Sequence, residues 1–435
     1  MITSLFSSRC QLAFVLMIAA QIIFLTMLRH NSANFESCET DIATFDMPDF
    51  NNDSASNNFH KMAGNAIHDY FYSRSDTDLN GVILRAFQRW PEDIPIPCSK
   101  VKSQEWWNPK VMRSPAKRGY LFVKEMKTGS STVSGVVLRI ARNIARRMGN
   151  KDMCNVRVDH SAARDLNYAD RIKNESFLFT MIRNPEKRVT SQFFHFFVSR
   201  QKEEPSDVNF QSFLNKSNYL FDYYLRDLAL VPTNLPDIKK KIYFYKPHKM
   251  DPRKLKNLRL RLANDIMRGY DFIGITERMD ESLVALMMIL RLKISDILYL
   301  KAKSSGNFDD GAYNKTCTYI VPSFVSPGMK AFFKSPFYLH QTEGDWLLYR
   351  AVNRSLDLTI DQLGRSVFEK YLEAFVEAQM LANAKCGKNI RLPCSSSGVR
   401  SPYKAYVSNS TDCLWLDSGC GAECLDSLEF EIDMI

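Results

Sequence analysis

The chain is poor in the groups that metal and nucleic-acid chemistry rely on. Only seven histidines occur in 435 residues, and none lies beyond His340. No H-E-x-x-H or D-x-D ligand set falls within the expected core, 118–390, so no metal is expected at the centre of the molecule and lysine and arginine must supply any cations. No nucleic-acid partner is expected, since a basic balance alone does not choose one. Internal repeats are lacking as well. The G-x-x-x-x-G-K-[ST] loop of nucleoside-triphosphate enzymes is missing, which argues against a nucleotide kinase or NTPase. Long apolar runs are scarce, and Gln11 to Leu28 is the one that stands out.

As a helix that run would span roughly 27 Å, about a thin secretory-pathway bilayer. It exceeds a usual signal-peptide core and no A-x-A cleavage site follows, so an uncleaved signal anchor is favoured over a cleaved peptide. The expected order is a short cytoplasmic tail (1–10), a membrane helix (11–28), a stem and lead-in (29–117), a catalytic body (118–390) and a cysteine-rich tail (391–435). Asn, Asp and Ser crowd Met47 to Asn58, as in a flexible stem. Trp90, Trp106 and Trp107 suggest that the later lead-in packs on the body. Single-pass type II topology with a lumenal body is the expectation.

Six N-x-[ST] sequons follow the run, at Asn52, Asn174, Asn215, Asn314, Asn353 and Asn409. Nine of the ten cysteines also follow it, and Cys386, Cys394, Cys413, Cys420 and Cys424 cluster near the end. In an oxidising lumen these read as disulfides, with a zinc knot as the alternative. An odd number leaves one thiol free or paired between copies, so a homodimer is open. The net charge of +10, from 58 Lys+Arg against 48 Asp+Glu, suits polyanionic partners without choosing among them.

The most informative stretch is Leu121 to Thr132, LFVKEMKTGSST. Leu121, Phe122 and Val123 read as a short buried strand. Val133, Val136, Val137, Ile140 and Ile144 share one face of a following helix. A strand, a tight turn and a helix start together make an anion site, because first-turn N–H groups lack intrahelical partners and the dipole adds positive charge. Gly129 allows close approach of a phosphate, Thr128, Ser130, Ser131 and Thr132 offer hydroxyls, and Lys127 adds a full charge. A serine-rich turn that merely caps a helix is the plainer alternative.

A second junction resembles the first. Phe177 to Ile182 reads as a strand, Arg183-Asn184-Pro185 ends it, and Pro185 suits the first turn of a helix continuing through Val189, Phe193, Phe196 and Phe197. Arg183, Arg188 and Ser191 could hold a phosphate dianion, for which an arginine fork is well matched.

Together the junctions resemble one family. K-[ST]-G-[ST]-[ST]-[ST] is similar to the 5′-phosphosulfate loop of Golgi carbohydrate sulfotransferases that use 3′-phosphoadenosine-5′-phosphosulfate (PAPS). Arg183-x-Pro185-x-x-Arg188-x-x-Ser191 is similar to their 3′-phosphate motif. Tyr270 to Leu283, followed by Asp296 to Leu300, resembles a block of the galactose-3-O-sulfotransferases, including those acting on galactosylceramide. Asp345 to Cys386 is similar to their C-terminal helices. The family more often has a Thr-His or similar pair where this chain has Glu125-Met126.

The resemblance implies an α/β three-layer sandwich with a central parallel sheet, a P-loop NTPase-like sulfotransferase fold. It implies PAPS as donor and a carbohydrate or glycolipid hydroxyl, galactose first, as acceptor, in the Golgi membrane. Another sugar or polysaccharide, or a non-catalytic glycan-binding protein on the same fold, stays open. Lys127 is the candidate for stabilising the leaving oxygen. Thr128, Gly129, Ser130, Ser131 and Thr132 are assigned to the 5′-phosphate, and Arg183 and Ser191, with Arg188 behind them, to the 3′-phosphate. His160 is the first candidate for general base; His195 and Glu125 are lesser ones. Arg157 and the loop Lys301 to Gly306 are candidates for the acceptor and the adenosine end respectively.

Overall fold

Two stretches of almost unbroken apolar sequence, Gly119–Val123 and Ser176–Ile182, lie side by side at the centre of a sheet and are buried along their whole length. Such runs without alternation are what a parallel sheet covered on both faces requires. In the computed structural model residues 79, 81–93, 95–99, 117–149, 152–216, 222–234, 250–301, 305–308, 317–387, 394–399 and 420–428 are described. The sheet contains β1 (Gly119–Val123), β2 (Val156–Asp159), β3 (Ser176–Ile182) and β4 (Phe272–Ile275) in the order β2-β1-β3-β4, every pair parallel.

The principal helices are α1 (Ser130–Arg147), α2 (Pro185–Gln192), α3 (Tyr223–Asp227), α4 (Pro252–Gly269), α5 (Met279–Leu290), α6 (Pro336–Leu363) and α7 (Arg365–Cys386). Val133, Val136, Val137 and Ile140 of α1 are buried as their spacing predicts, and Arg146 and Arg147 complement the dipole at its end. Pro185 opens α2 while the Asn184 side chain accepts from Lys187 N. Pro252 opens α4 in the same way, with Asp251 as its cap. The crossover from β1 to β2 runs to one side of the sheet and that from β3 to β4 to the other. Right-handed connections therefore put α1 and α4 on opposite faces, giving three layers.

The helix after Arg183 departs from expectation. It is α-helical only to Gln192 and then widens into a π-helical turn, Phe193–Ser199, where Ser199 Oγ donates to Phe194 O over 2.6 Å. The extra residue per turn lets Phe193, Phe194, Phe197 and Val198 all enter a second, smaller core with Phe210, Leu214, Met329, Phe333 and Tyr338. Phe196 is left half-buried.

Part of the lead-in is docked on the sheet. Phe87 meets Phe272 edge-on at 5.3 Å and its N–H donates to Thr359 Oγ1 over 2.8 Å. Trp90 N–H donates to Ile289 O. Cys98 is disulfide-bonded to Cys154. Cys317–Cys394 and Cys386–Cys424 are further disulfides, and Cys420 is bonded as well, so these tail cysteines are cross-links and not zinc ligands. No helix among the described residues is long and apolar enough to cross a membrane. The anchor expected at 11–28, the stem around Met47 to Asn58, and Trp106 and Trp107 lie outside the described residues.

Candidate functional site

β1 connects through α1 to β2 on one side, and the chain then recrosses to β3 on the other side of β1. The loops leaving the carboxyl ends of β1 and β3 therefore diverge and open a crevice, the usual ligand position in such sheets. Both cationic junctions sit there. Arg183 Nη1 donates to Lys127 O over 3.1 Å, so the β3 end touches the β1 turn directly. Thr276, at the end of β4, ties the same two elements: its Oγ1 lies 2.7 Å from Thr128 O and 3.0 Å from Ile182 O.

The turn itself is strained. Lys127 has φ 64° and Gly129 φ 71°, and a left-handed non-glycine residue costs about 1 kcal/mol or more. At Gly129 a Cβ would also come within 2.8 Å of Met279 Cε. No side-chain hydrogen bond caps α1 and no acidic residue stands in its first turn, so the helix presents amides without a built-in anion. Ser130 and Thr132 are buried, and Ser131 is half-buried.

Thr128 requires a correction. Its side chain is fully buried and its hydroxyl donates to Glu125 O over 3.0 Å. A hydroxyl has one hydrogen, so this one cannot also serve a phosphate, and only the Thr128 backbone remains for that role.

At the β3 end, the Tyr224 hydroxyl accepts from Arg183 N over 2.9 Å and donates to Arg183 O over 2.7 Å. Asn184 N–H donates to the Glu277 carboxylate at 3.1 Å, and Arg183 Nε lies 3.7 Å from the same group. Ser191 is half-buried in the last turn of α2.

Arg188 is not a surface phosphate ligand. Its side chain is fully buried, it donates to Gln192 Oε1 over 2.9 Å, and it stacks on the rings of Tyr223 at 4.0 Å and Tyr224 at 5.2 Å. It balances the buried Asp345 carboxylate, 3.9 Å away. The nearby Tyr224 and Asp345 hold its pKa above the ordinary value despite burial.

Glu125 is buried, withdrawn from an acceptor hydroxyl. Burial pushes its pKa well above the usual carboxylate range, the Asp227 charge adds to that, and Tyr223 hydrogen-bonds to it. Its second oxygen is buried with no hydrogen-bond partner among the described residues.

His160 follows β2 on the same rim of the sheet and is exposed. Its Nδ1 lies 2.7 Å from Lys124 O. A carbonyl can only accept, so Nδ1 carries the hydrogen and the lone pair of the neutral ring is on Nε2, the form a general base needs. His195 is buried against Phe196 at 4.8 Å, in the aromatic cluster. Arg157 pairs with Asp159 at 3.1 Å. Of the loop from Lys301 to Gly306, residues 302–304 lie outside the described set.

The structure thus brings Lys127, Thr128, Gly129 and Arg183 together and adds Tyr224, Thr276 and Glu277, whose part in the site sequence reasoning missed. Residues 118–318 match the family model described as Sulfotransferase family. No curated protein and no solved structure matches the chain.

Proposed function

We propose that this sulfotransferase region moves a sulfuryl group from PAPS to a hydroxyl of a carbohydrate, galactose in a glycolipid or glycan being the first acceptor class to test. The reading is carried by one observation: the two cationic junctions that would serve the two ends of the donor meet through the Arg183–Lys127 contact. The uncapped α1 amides and the side-chain-free Gly129 suit a phosphate. When bound, PAPS supplies the activated sulfuryl group.

In this reading the backbone from Thr128 to Thr132 and the hydroxyls of Ser130, Ser131 and Thr132 hold the 5′-phosphate. Arg183 and Ser191 hold the 3′-phosphate. Lys127 neutralises charge growing on the leaving oxygen, in a site where fixed cations act strongly. His160 takes the acceptor proton at Nε2, and its Nδ1–H bond to Lys124 O keeps the ring oriented through the transfer.

Placement in the Golgi lumen, tethered by residues 11–28, belongs to the same proposal. Its support is the disulfides joining Cys98–Cys154, Cys317–Cys394 and Cys386–Cys424, which suit an oxidising compartment. The test is purified protein with ³⁵S-labelled PAPS against galactosides, glycolipids and polysaccharides. Label in a galactoside or galactolipid supports the full proposal, label in another sugar moves the acceptor class, and no label in any acceptor refutes it.

A further inference from the structure

Two neighbouring tyrosines hold the two junctions from behind. Tyr223 and Tyr224 open the one-turn helix α3, and both rings are buried. Successive side chains on a helix diverge by about 100°, so one residue reaches each loop. The Tyr224 hydroxyl brackets Arg183 from both sides of its backbone, accepting from N and donating to O. The Tyr223 hydroxyl accepts from Met126 N over 3.4 Å and hydrogen-bonds the Glu125 side chain, within the turn that leads to Lys127.

The helix bearing both rings is itself pinned. Asp345 of α6 accepts from Tyr223 N over 3.0 Å and from Tyr224 N over 2.7 Å. Arg188 of α2 stacks across both rings. The separation of the two loops is therefore set by one rigid piece of α3.

We propose that Tyr223 and Tyr224 are the positioning residues of the donor site: together they hold the β1 turn and the β3 end at the separation that a nucleotide phosphorylated at both its 5′ and 3′ positions requires. The proposal rests on the sulfotransferase reading and deepens it. Neither hydroxyl touches the donor. Tyr224 acts through Arg183 on the 3′-phosphate, and Tyr223 acts through the 125–127 turn on the 5′ end.

The test is calorimetric titration of the purified full-length chain with adenosine 3′,5′-bisphosphate and with adenosine 5′-phosphate, which lacks the 3′ group. Tyr224→Phe keeps the ring and its stacking but removes the hydroxyl. It should weaken the bisphosphate about tenfold, the scale of one or two hydrogen bonds, and leave the monophosphate unchanged. Tyr223→Phe should weaken both by the same factor.

Wild-type protein that binds the bisphosphate no better than the monophosphate overturns the donor reading and this inference with it. Wild-type preference that survives intact in Tyr224→Phe, or equal loss of both nucleotides in that variant, overturns the inference alone. Should Tyr224→Phe not fold, Asp345→Asn decides, because it loosens α3 without touching either ring. Weakened binding of both nucleotides supports the proposal, and unchanged binding contradicts it.

Discussion

The Arg183 guanidinium donates to the carbonyl of Lys127 over 3.1 Å, across a sequence separation of 56 residues. The bond joins the side chain assigned to one end of a nucleotide to the backbone of the residue assigned to the other. The two therefore differ in what they should control. Lys127→Ala should lower kcat by roughly 10²–10³-fold, the scale of losing a charge-stabilising group, with a much smaller change in donor affinity. Arg183→Ala should do the reverse and weaken adenosine 3′,5′-bisphosphate about tenfold or more. Turnover assays paired with calorimetry separate the effects, and equal donor affinity in wild type and Arg183→Ala contradicts the assignment.

Gly129 is held at φ 71°, with Met279 Cε where a Cβ would crowd it. Gly129→Ala should destabilise the fold by about 1 kcal/mol or more and weaken the bisphosphate by reshaping the turn. Denaturant unfolding and calorimetry check both parts. Met279→Ala in the same chain should restore little, because the backbone conformation is unchanged.

His160 is oriented by Lys124 O for proton removal at Nε2. His160→Ala should cost about 10²–10⁴-fold in kcat, the usual worth of a general base, and leave bisphosphate binding as it is. His195→Ala, in the aromatic core, should lower thermal stability instead. Assays at saturating donor, with melting curves, distinguish the two histidines.

Burial pushes the Asp345 carboxyl up to about 7, with the Arg188 charge opposing the shift and the Asp222 charge adding to it. Glu186 is also raised to about 7 by burial. Both groups hold a proton more tightly in the folded chain than in the unfolded one, where carboxyls titrate near ~4. Stability should therefore fall as pH rises from about 4 to about 7, and level off above that. Melting temperatures over this range should show the decline, and Asp345→Asn and Glu186→Gln should each flatten it.

The Cys98–Cys154 bond joins the lead-in to the chain just ahead of β2, over a sequence separation of 56. Replacing both cysteines with serine should cost about 2–5 kcal/mol, read as a lower unfolding midpoint. Protease should then cut first in the 79–99 segment.

Local chemistry explains what could be read in advance. Leu121 to Val123, the valine spacing of α1 and Pro185 each carry their structural instruction within a few residues. The switch between β1 and β3 follows once those units form. Other features depend on distant partners. R-N-P-x-x-R reads alike whether its second arginine is solvated or buried, and only Tyr223, Tyr224 and Asp345 make Arg188 a core residue. Glu125 looks like an accessible base until it is found buried behind the turn, where desolvation raises its pKa. Thr128 looks like a phosphate donor until its hydroxyl is found on Glu125 O. The pairing of Cys317 with Cys394 is one of many that cysteine positions alone permit.

The most direct measurement is a crystal structure of the chain with adenosine 3′,5′-bisphosphate. The account predicts the 5′-phosphate on the amides from Gly129 to Thr132 beside Lys127, and the 3′-phosphate within hydrogen-bond distance of Arg183, on one nucleotide. A nucleotide seated away from the crevice between β1 and β3, or one whose two phosphates both avoid Arg183, contradicts it.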